Sequence, residues 1–250
     1  MGRFSNFALV FARLVIDEND FGVAPFLVQT RSLETHRHMP GVKCGDLGPK
    51  FGYHTKDNGW LTFDRVRIPR SQMLQKFIQV GRDGEVSIEG DLRVLYSVML
   101  LTRTQIINNT SSALQHALVI ALRYSAVRRQ FRNISGQKEE TVLLDYQTQQ
   151  FKLFPLMASM FAQQFAAEHM NKLFRQLMKD IQAGKFELLD LCHHFSAGMK
   201  SVFTQNTFDG LVQIRQSLGG AGYSAWSGIP NIIEDFSPNP TFEGDNTVMA

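Results

Sequence analysis

The order of apolar and polar residues divides the chain into a strand-like stretch followed by a helix-like one. Phe7 to Ile16 is an apolar run and Phe26 to Gln29 a second. Trp60 to Arg67 alternates, with Leu61 and Phe63 set against Thr62 and Asp64, the period of a half-buried strand. Pro40-Gly41, Gly48-Pro49 and Asp57-Asn58-Gly59 separate the runs, and the last of these predicts a tight turn. Gly81 to Gly90, with two steps that pair Asp and Gly, reads as a linker.

After Asp91 the period becomes helical. Leu114, Ala117, Leu118, Ala121 and Leu122 share one face; Phe151, Phe154, Ala158, Phe161 and Phe165 share another; Leu188, Leu191, Phe195, Met199 and Val202 share a third. Three long helices are expected, over 91–131, 142–183 and 187–218, with breaks at Ser135-Gly136 and Gly184. Pro155 is expected to kink the second helix or to mark its true start, because proline removes a backbone donor. Gly219-Gly220 is a helix C-terminal signal for the third. The fold class expected is α+β, a partial antiparallel β domain over 1–85 followed by an antiparallel helical bundle domain over 86–250.

Composition narrows this picture without changing it. A chain of 250 residues, 20 of them phenylalanine, can bury a sizeable core. Apolar runs such as Val94 to Leu101 are broken by Tyr96 and Ser97, so no membrane span is expected. A net charge of +3 suits a small anionic ligand and is too mild to argue for nucleic acid. Cys44 and Cys192 are far apart, which suggests neither a disulfide framework nor a zinc site, and a reducing intracellular setting fits. The first residues are no secretory signal and Thr247-Val248-Met249-Ala250 is no peroxisomal S-K-L type address; both ends read as cuts.

Several clusters could carry chemistry. His193 and His194 are adjacent on a predicted helix and point apart, and His36 and His38 lie in a polar loop, so no metal is expected. The glycines of Leu218 to Gly228 follow no predicted strand; they serve either as a helix-ending turn or as a place where backbone approaches a phosphate or ring. Arg123, Arg128, Arg129 and Arg132 crowd a helix end beside Phe131. They are either cations stabilised by the helix dipole or a phosphate site with an aromatic for stacking. Glu243 lies between Phe242 and Gly244, where it is either an exposed loop residue or a poorly hydrated carboxylate competent as a base.

Taken in order, PGVKCGDLGPKFGYHTKDNGWLTFDRVRIPR (Pro40 to Arg70), RYSAVRRQF (Arg123 to Phe131), LDYQTQQFKLFP (Leu144 to Pro155), GGAGY (Gly219 to Tyr223) and TFEGDNTVM (Thr241 to Met249) resemble the acyl-CoA oxidases of the acyl-CoA dehydrogenase superfamily. The first looks like the end of their middle β domain and the others like their first C-terminal helical domain. LDYQTQQFKLFP favours oxidase over dehydrogenase.

That resemblance implies FAD-dependent oxidation of a fatty acyl-CoA to trans-2-enoyl-CoA, with electrons passed to O2 to give H2O2. Glu243 matches the family's catalytic base. The backbone N–H of that residue and a flavin hydroxyl would polarise the thioester carbonyl. Arg128 and Phe131 match positions that hold the pyrophosphate and adenine region of the neighbouring subunit's FAD, and Gln216, Gly219 and Gly220 match a second FAD contact. Asp245 and Thr247 follow the base where the family often touches flavin, and Arg103 matches a supporting arginine near the active site. A homodimer in the peroxisome is implied as well. The oxidases carry further segments before and after the matched region, including one that binds the flavin ring. The alternatives are a dehydrogenase that passes electrons to another flavoprotein and a truncated, non-catalytic structural paralogue.

Overall fold

The computed structural model describes residues 3–89, 97–132, 135–136 and 138–250. Two compact units divide the chain, 1–92 and 93–250.

Among its described residues, the first unit holds three antiparallel hairpins. Strand β1 (Phe7–Ile16) pairs with β2 (Asn19–Gln29) in a register that runs from Phe7 opposite Gln29 to Ile16 opposite Asn19. The turn between them is Asp17-Glu18, both at positive φ, as the two central residues of a I′ hairpin require. Strand β3 (Val42–Asp46) pairs with β4 (Gly59–Phe63). Asp57-Asn58-Gly59 makes no tight turn here: it closes a long loop over 47–58, whose own turn falls at His54-Thr55. Nor does the alternation after Trp60 run on, since β4 ends at Phe63, which is exposed while Leu61 is half-buried. Strand β5 (Ile78–Val80) pairs with β6 (Val86–Ile88), so most of the stretch read as a linker is a hairpin, its turn closed by the Gly81 N–H donating to the Glu85 carbonyl. Gly90 lies outside the described residues.

The second unit is a three-helix bundle with short additions. Helix α1 (Ser97–Val127), α2 (Gln147–Gln182) and α3 (Leu189–Ser217) are followed by α4 (Gly220–Tyr223), α5 (Ile229–Phe236) and α6 (Asn246–Met249). The expected first-helix segment at 91–96 lies outside the described residues. Polar pairs fix the directions. Asn108 and Asn171 exchange amide hydrogen bonds of 3.1 and 2.8 Å, while Gln149 donates to Ser125 further along α1, so α1 and α2 are antiparallel. Thr207 donates to Gln163 and Gln149 to the Ser217 carbonyl, so α2 and α3 are antiparallel as well. Leu114, Leu118, Leu153, Met160, Leu211 and Ile214 form the core, closed by Ile229, Ile233 and Phe236 of α5. Each such side chain contributes roughly 1.5–3 kcal/mol by leaving water.

Pro155 neither starts α2 nor ends it. The carbonyl that loses its partner to the proline belongs to Phe151, a residue 80% exposed, so water can satisfy it. One expected face is reversed, and on α3 the expected face is only half-buried. The α2 stripe of Phe151, Phe154, Ala158, Phe161 and Phe165 is the outer one, and Gln149, Leu153, Met160, Gln163, Ala167, Met170 and Leu177 face inward. On α3, Leu191 and Val202 are exposed; Leu189, Cys192, Ser196, Lys200, Thr204, Thr207 and Leu211 are buried. Both inner faces contain polar residues with partners across the bundle, so ranking residues by hydrophobicity does not select them.

Candidate functional site

Glu243 lies on the irregular segment between α5 and α6, with φ +58, a left-handed conformation that costs a side-chain-bearing residue energy and persists only where its surroundings impose it. The surroundings here are two buried cations. Arg103 of α1, 6% exposed, donates from Nε to the Glu243 carbonyl at 3.0 Å. Lys200 of α3, fully buried, donates from Nζ to the Gly244 carbonyl, to the Pro240 carbonyl at 3.3 Å and to Asn246 Oδ1 at 3.0 Å. Gly244 follows at φ +109; a Cβ there would meet Met249 Sδ at 2.6 Å.

Supporting bonds extend from α3. Asn246 Nδ2 donates to Thr204 Oγ1 at 3.0 Å, Ser201 Oγ donates to the Asn246 carbonyl at 3.1 Å, and the Asn246 N–H donates to the Pro240 carbonyl. Asp245 caps α6 by accepting from the Thr247 N–H at 2.9 Å, and both residues are exposed. Glu243 itself is half-buried. Burial pushes the Lys200 ammonium below the usual lysine range; the carboxylates of Asp245 and Glu243 oppose this, and Arg103 adds to it. Burial likewise disfavours the Arg103 cation, with Glu243 restoring part of the loss. Arg103 Nη1 also lies 3.5 Å from His193 Nδ1.

The remaining candidates gather at the other end of the bundle. Arg128 follows the last residue of α1, and Phe131 lies three residues on at φ +55, 71% exposed. Their loop is held by the Gln130 N–H to the Thr141 carbonyl, the Thr141 N–H to the Phe131 carbonyl and Tyr146 Oη to the Gln130 carbonyl. Arg128 Nη2 donates to Gln130 Oε1 at 3.0 Å. Gln216, Gly219 and Gly220 lie at the end of α3, which the Gln149 amide ties to the same end of α1 through Ser217 and Ser125. Gly219 has φ +58, and a Cβ added to Gly219 or Gly220 would meet nothing within 4 Å, so the backbone there is open to an approaching group. From Arg103 to Val127 the helix rises roughly 36 Å at about 1.5 Å per residue. The nine candidates therefore form two groups: Arg103, Glu243, Asp245 and Thr247 at one end, Arg128, Phe131, Gln216, Gly219 and Gly220 at the other. Lys200, Thr204 and Asn246 were not among the residues expected from sequence. The usable signal for Lys200 was its step of four from Ser196 and to Thr204 on one helix face.

Among proteins of known family, residues 96–250 match the family model described as acyl-CoA oxidase, C-alpha1 domain, which assigns the helical unit its class. The match covers more than half of the chain, and the chain belongs to the acyl-CoA oxidase family. Peroxisomal acyl-coenzyme A oxidase 1 of Arabidopsis thaliana is 42% identical over 253 residues, and that of Rattus norvegicus 41% over 249; each alignment covers 100% of this chain and 38% of the relative. The solved structure of Arabidopsis thaliana acyl-CoA oxidase 1 superposes with a TM-score of 0.93 at 42% identity, over 99% of this chain and 38% of that one. Acyl-CoA oxidase-2 of Caenorhabditis elegans, bound with FAD, ascaroside-CoA and ATP, superposes at 0.95 and 38% identity, over 99% and 37%. The chain thus spans little more than a third of the length of these relatives.

Proposed function

We propose that the chain forms the base-bearing part of a peroxisomal acyl-CoA oxidase, which converts a fatty acyl-CoA to its trans-2-enoyl thioester. In this reading 1–85 are the end of a middle β domain and 86–250 the first C-terminal helical domain. The observation that carries it is the clamp on Glu243, whose unfavourable φ is imposed by bonds from two different helices to consecutive carbonyls. Strain held in place in this manner is characteristic of functional positions.

The Glu243 carboxylate takes the α proton of the thioester and becomes the neutral acid, while the β hydrogen leaves with its electron pair. The Glu243 N–H polarises the thioester carbonyl, which acidifies the α carbon. FAD, when bound, would supply the hydride acceptor and the route by which the electron pair reaches O2 to give H2O2. The residues present suit its nucleotide side: an exposed arginine at the end of α1, an exposed aromatic three residues on, and an open glycine backbone. Arg128, Phe131, Gln216, Gly219 and Gly220 would hold that side, with Asp245 and Thr247 toward the ring. The resemblance assigns Arg128 and Phe131 to the neighbouring subunit's FAD, and their separation from Glu243 along α1 supports that arrangement, in which each FAD would be shared between the two chains of a homodimer.

The test is a chimera in which this chain replaces the matching segment of Arabidopsis acyl-CoA oxidase 1. Peroxide released from a saturated acyl-CoA under air is the expected result. Glu243→Gln should lower the rate by about a hundredfold to ten-thousandfold with flavin content unchanged, and Glu234→Gln should leave it intact. Flavin bleaching that needs an added flavoprotein acceptor to turn over would assign a dehydrogenase instead, and a Glu243→Gln chimera as fast as its parent would remove Glu243 from the mechanism.

A further inference from the structure

A fully buried lysine is expensive unless all of its donors are met, and an ammonium has three. Lys200 meets all three without a directly bonded carboxylate: its acceptors are the carbonyls of Pro240 and Gly244 and the side-chain oxygen of Asn246. These acceptors bracket Glu243 on both sides in sequence. Positive φ at Glu243 and Gly244 is what brings the Glu243 carbonyl to Arg103 while the Gly244 carbonyl meets Lys200. The outer face of α3 could have carried this lysine at little cost; its inner face instead runs Cys192, Ser196, Lys200, Thr204 and Thr207, and Thr204 and Ser201 both bond Asn246.

We infer that Lys200 is a positioning residue for the base: its ammonium fixes the 240–246 segment by three hydrogen bonds and presents the Glu243 carboxylate in a single orientation. The inference rests on Glu243 being the base. Lys200 does not touch the reacting atoms. It acts through the backbone that carries the base. The charged groups facing it are Arg103 from α1 and Asp245 and Glu243 from the segment it grips, with His193 of its own helix beyond Arg103.

Two measurements on Lys200→Met test this. In the 250-residue chain, hydrogen exchange should show amides of 240–249 losing protection by about tenfold or more, while core amides such as those of Leu114 and Leu211 keep theirs. In the flavin-loaded chimera, anaerobic bleaching by saturating acyl-CoA should slow by about tenfold or more per bound flavin, while the acyl-CoA concentration that half-saturates it stays the same. If this variant does not fold, Thr204→Val, which removes the hydroxyl bonded to Asn246 and keeps the lysine, should show the same changes in weaker form. An unchanged bleaching rate per bound flavin, with only a lower melting temperature, would make Lys200 a structural residue and overturn the inference. Glu243→Gln in parallel separates the two questions: if it bleaches normally, the base assignment fails, while hydrogen exchange still reports whether the clamp exists.

Discussion

Arg103 and Glu243, 140 residues apart in sequence, are joined through the Arg103 Nε–H and the Glu243 carbonyl at 3.0 Å, a side chain holding the backbone of the residue whose carboxylate is proposed to react. A charge-assisted bond of this kind is worth about 1.5–3 kcal/mol. Arg103→Met in the chimera is therefore expected to lower flavin bleaching by roughly tenfold to a hundredfold, with Lys at the same position recovering part of the loss. A variant as fast as its parent would confine Arg103 to packing.

The same segment should resist a methyl group. Gly244→Ala places a Cβ against Met249 at a φ that side-chain-bearing residues rarely adopt, and is expected to cost about 1–3 kcal/mol in the denaturant unfolding of the chain. Gly220→Ala, where a Cβ meets nothing, is the matched control. Equal stabilities for the two variants would show that the segment adjusts freely.

Arg128→Ala is expected to weaken FAD retention in the chimera by roughly tenfold to a hundredfold, the effect of removing one charge-assisted phosphate contact. Equilibrium dialysis reads this directly. Retention equal to the parent's would leave Arg128 as a helix-end cation whose bond is to Gln130.

Lys200 gives a pH dependence of definite sign. Its burial holds its folded pKa below that of an ordinary lysine, so between the two the unfolded chain binds more protons than the folded one. This group then makes stability rise with pH across that window, and its burial cost is fully present below it. The clamp loses its charge in the same window, so bleaching in the chimera should decline at a pH below the ordinary lysine range while unfolding becomes no easier. Lys200→Met should abolish both trends.

The reversed face of α2 can be checked by a pair of substitutions. Leu153→Ala is expected to cost about 2–5 kcal/mol, and Phe151→Ser about 0.5 kcal/mol or less in the isolated chain. The opposite order would restore the aromatic stripe to the core.

Much of the fold could be read before any coordinates because period is a local property. The change from strands to helices, the ends of α2 and α3 near Gly184 and Gly219, and the core face of α1 all follow from residue spacing. What could not be read depends on partners distant in sequence. Asp17-Glu18 forms a hairpin turn without glycine because the strands on either side pair directly, whereas Asp57-Asn58-Gly59, the stronger turn signal, ends a loop over 47–58, and its glycine is already paired in β4 opposite Asp46. Gln149 and Gln163 face inward because Ser125, Ser217 and Thr207 receive or supply their hydrogen bonds, and nothing near the glutamines in sequence announces those partners. Lys200 was hidden for the same reason, its acceptors lying 40 or more residues ahead. The motif around Glu243 was legible as a resemblance; the φ that makes the residue unusual was not.

The length of α1 has a genetic corollary. If Glu243 serves one cofactor while Arg128 of the same chain serves the cofactor of its partner, an allele carrying Glu243→Gln and an allele carrying Arg128→Ala each spoil both centres of their own homodimer. In a mixed dimer both lesions fall on one centre and leave the other whole. Two impaired alleles expressed together would then complement to about half the parental activity per mixed dimer, while two alleles altered at the same end of the helix would not complement.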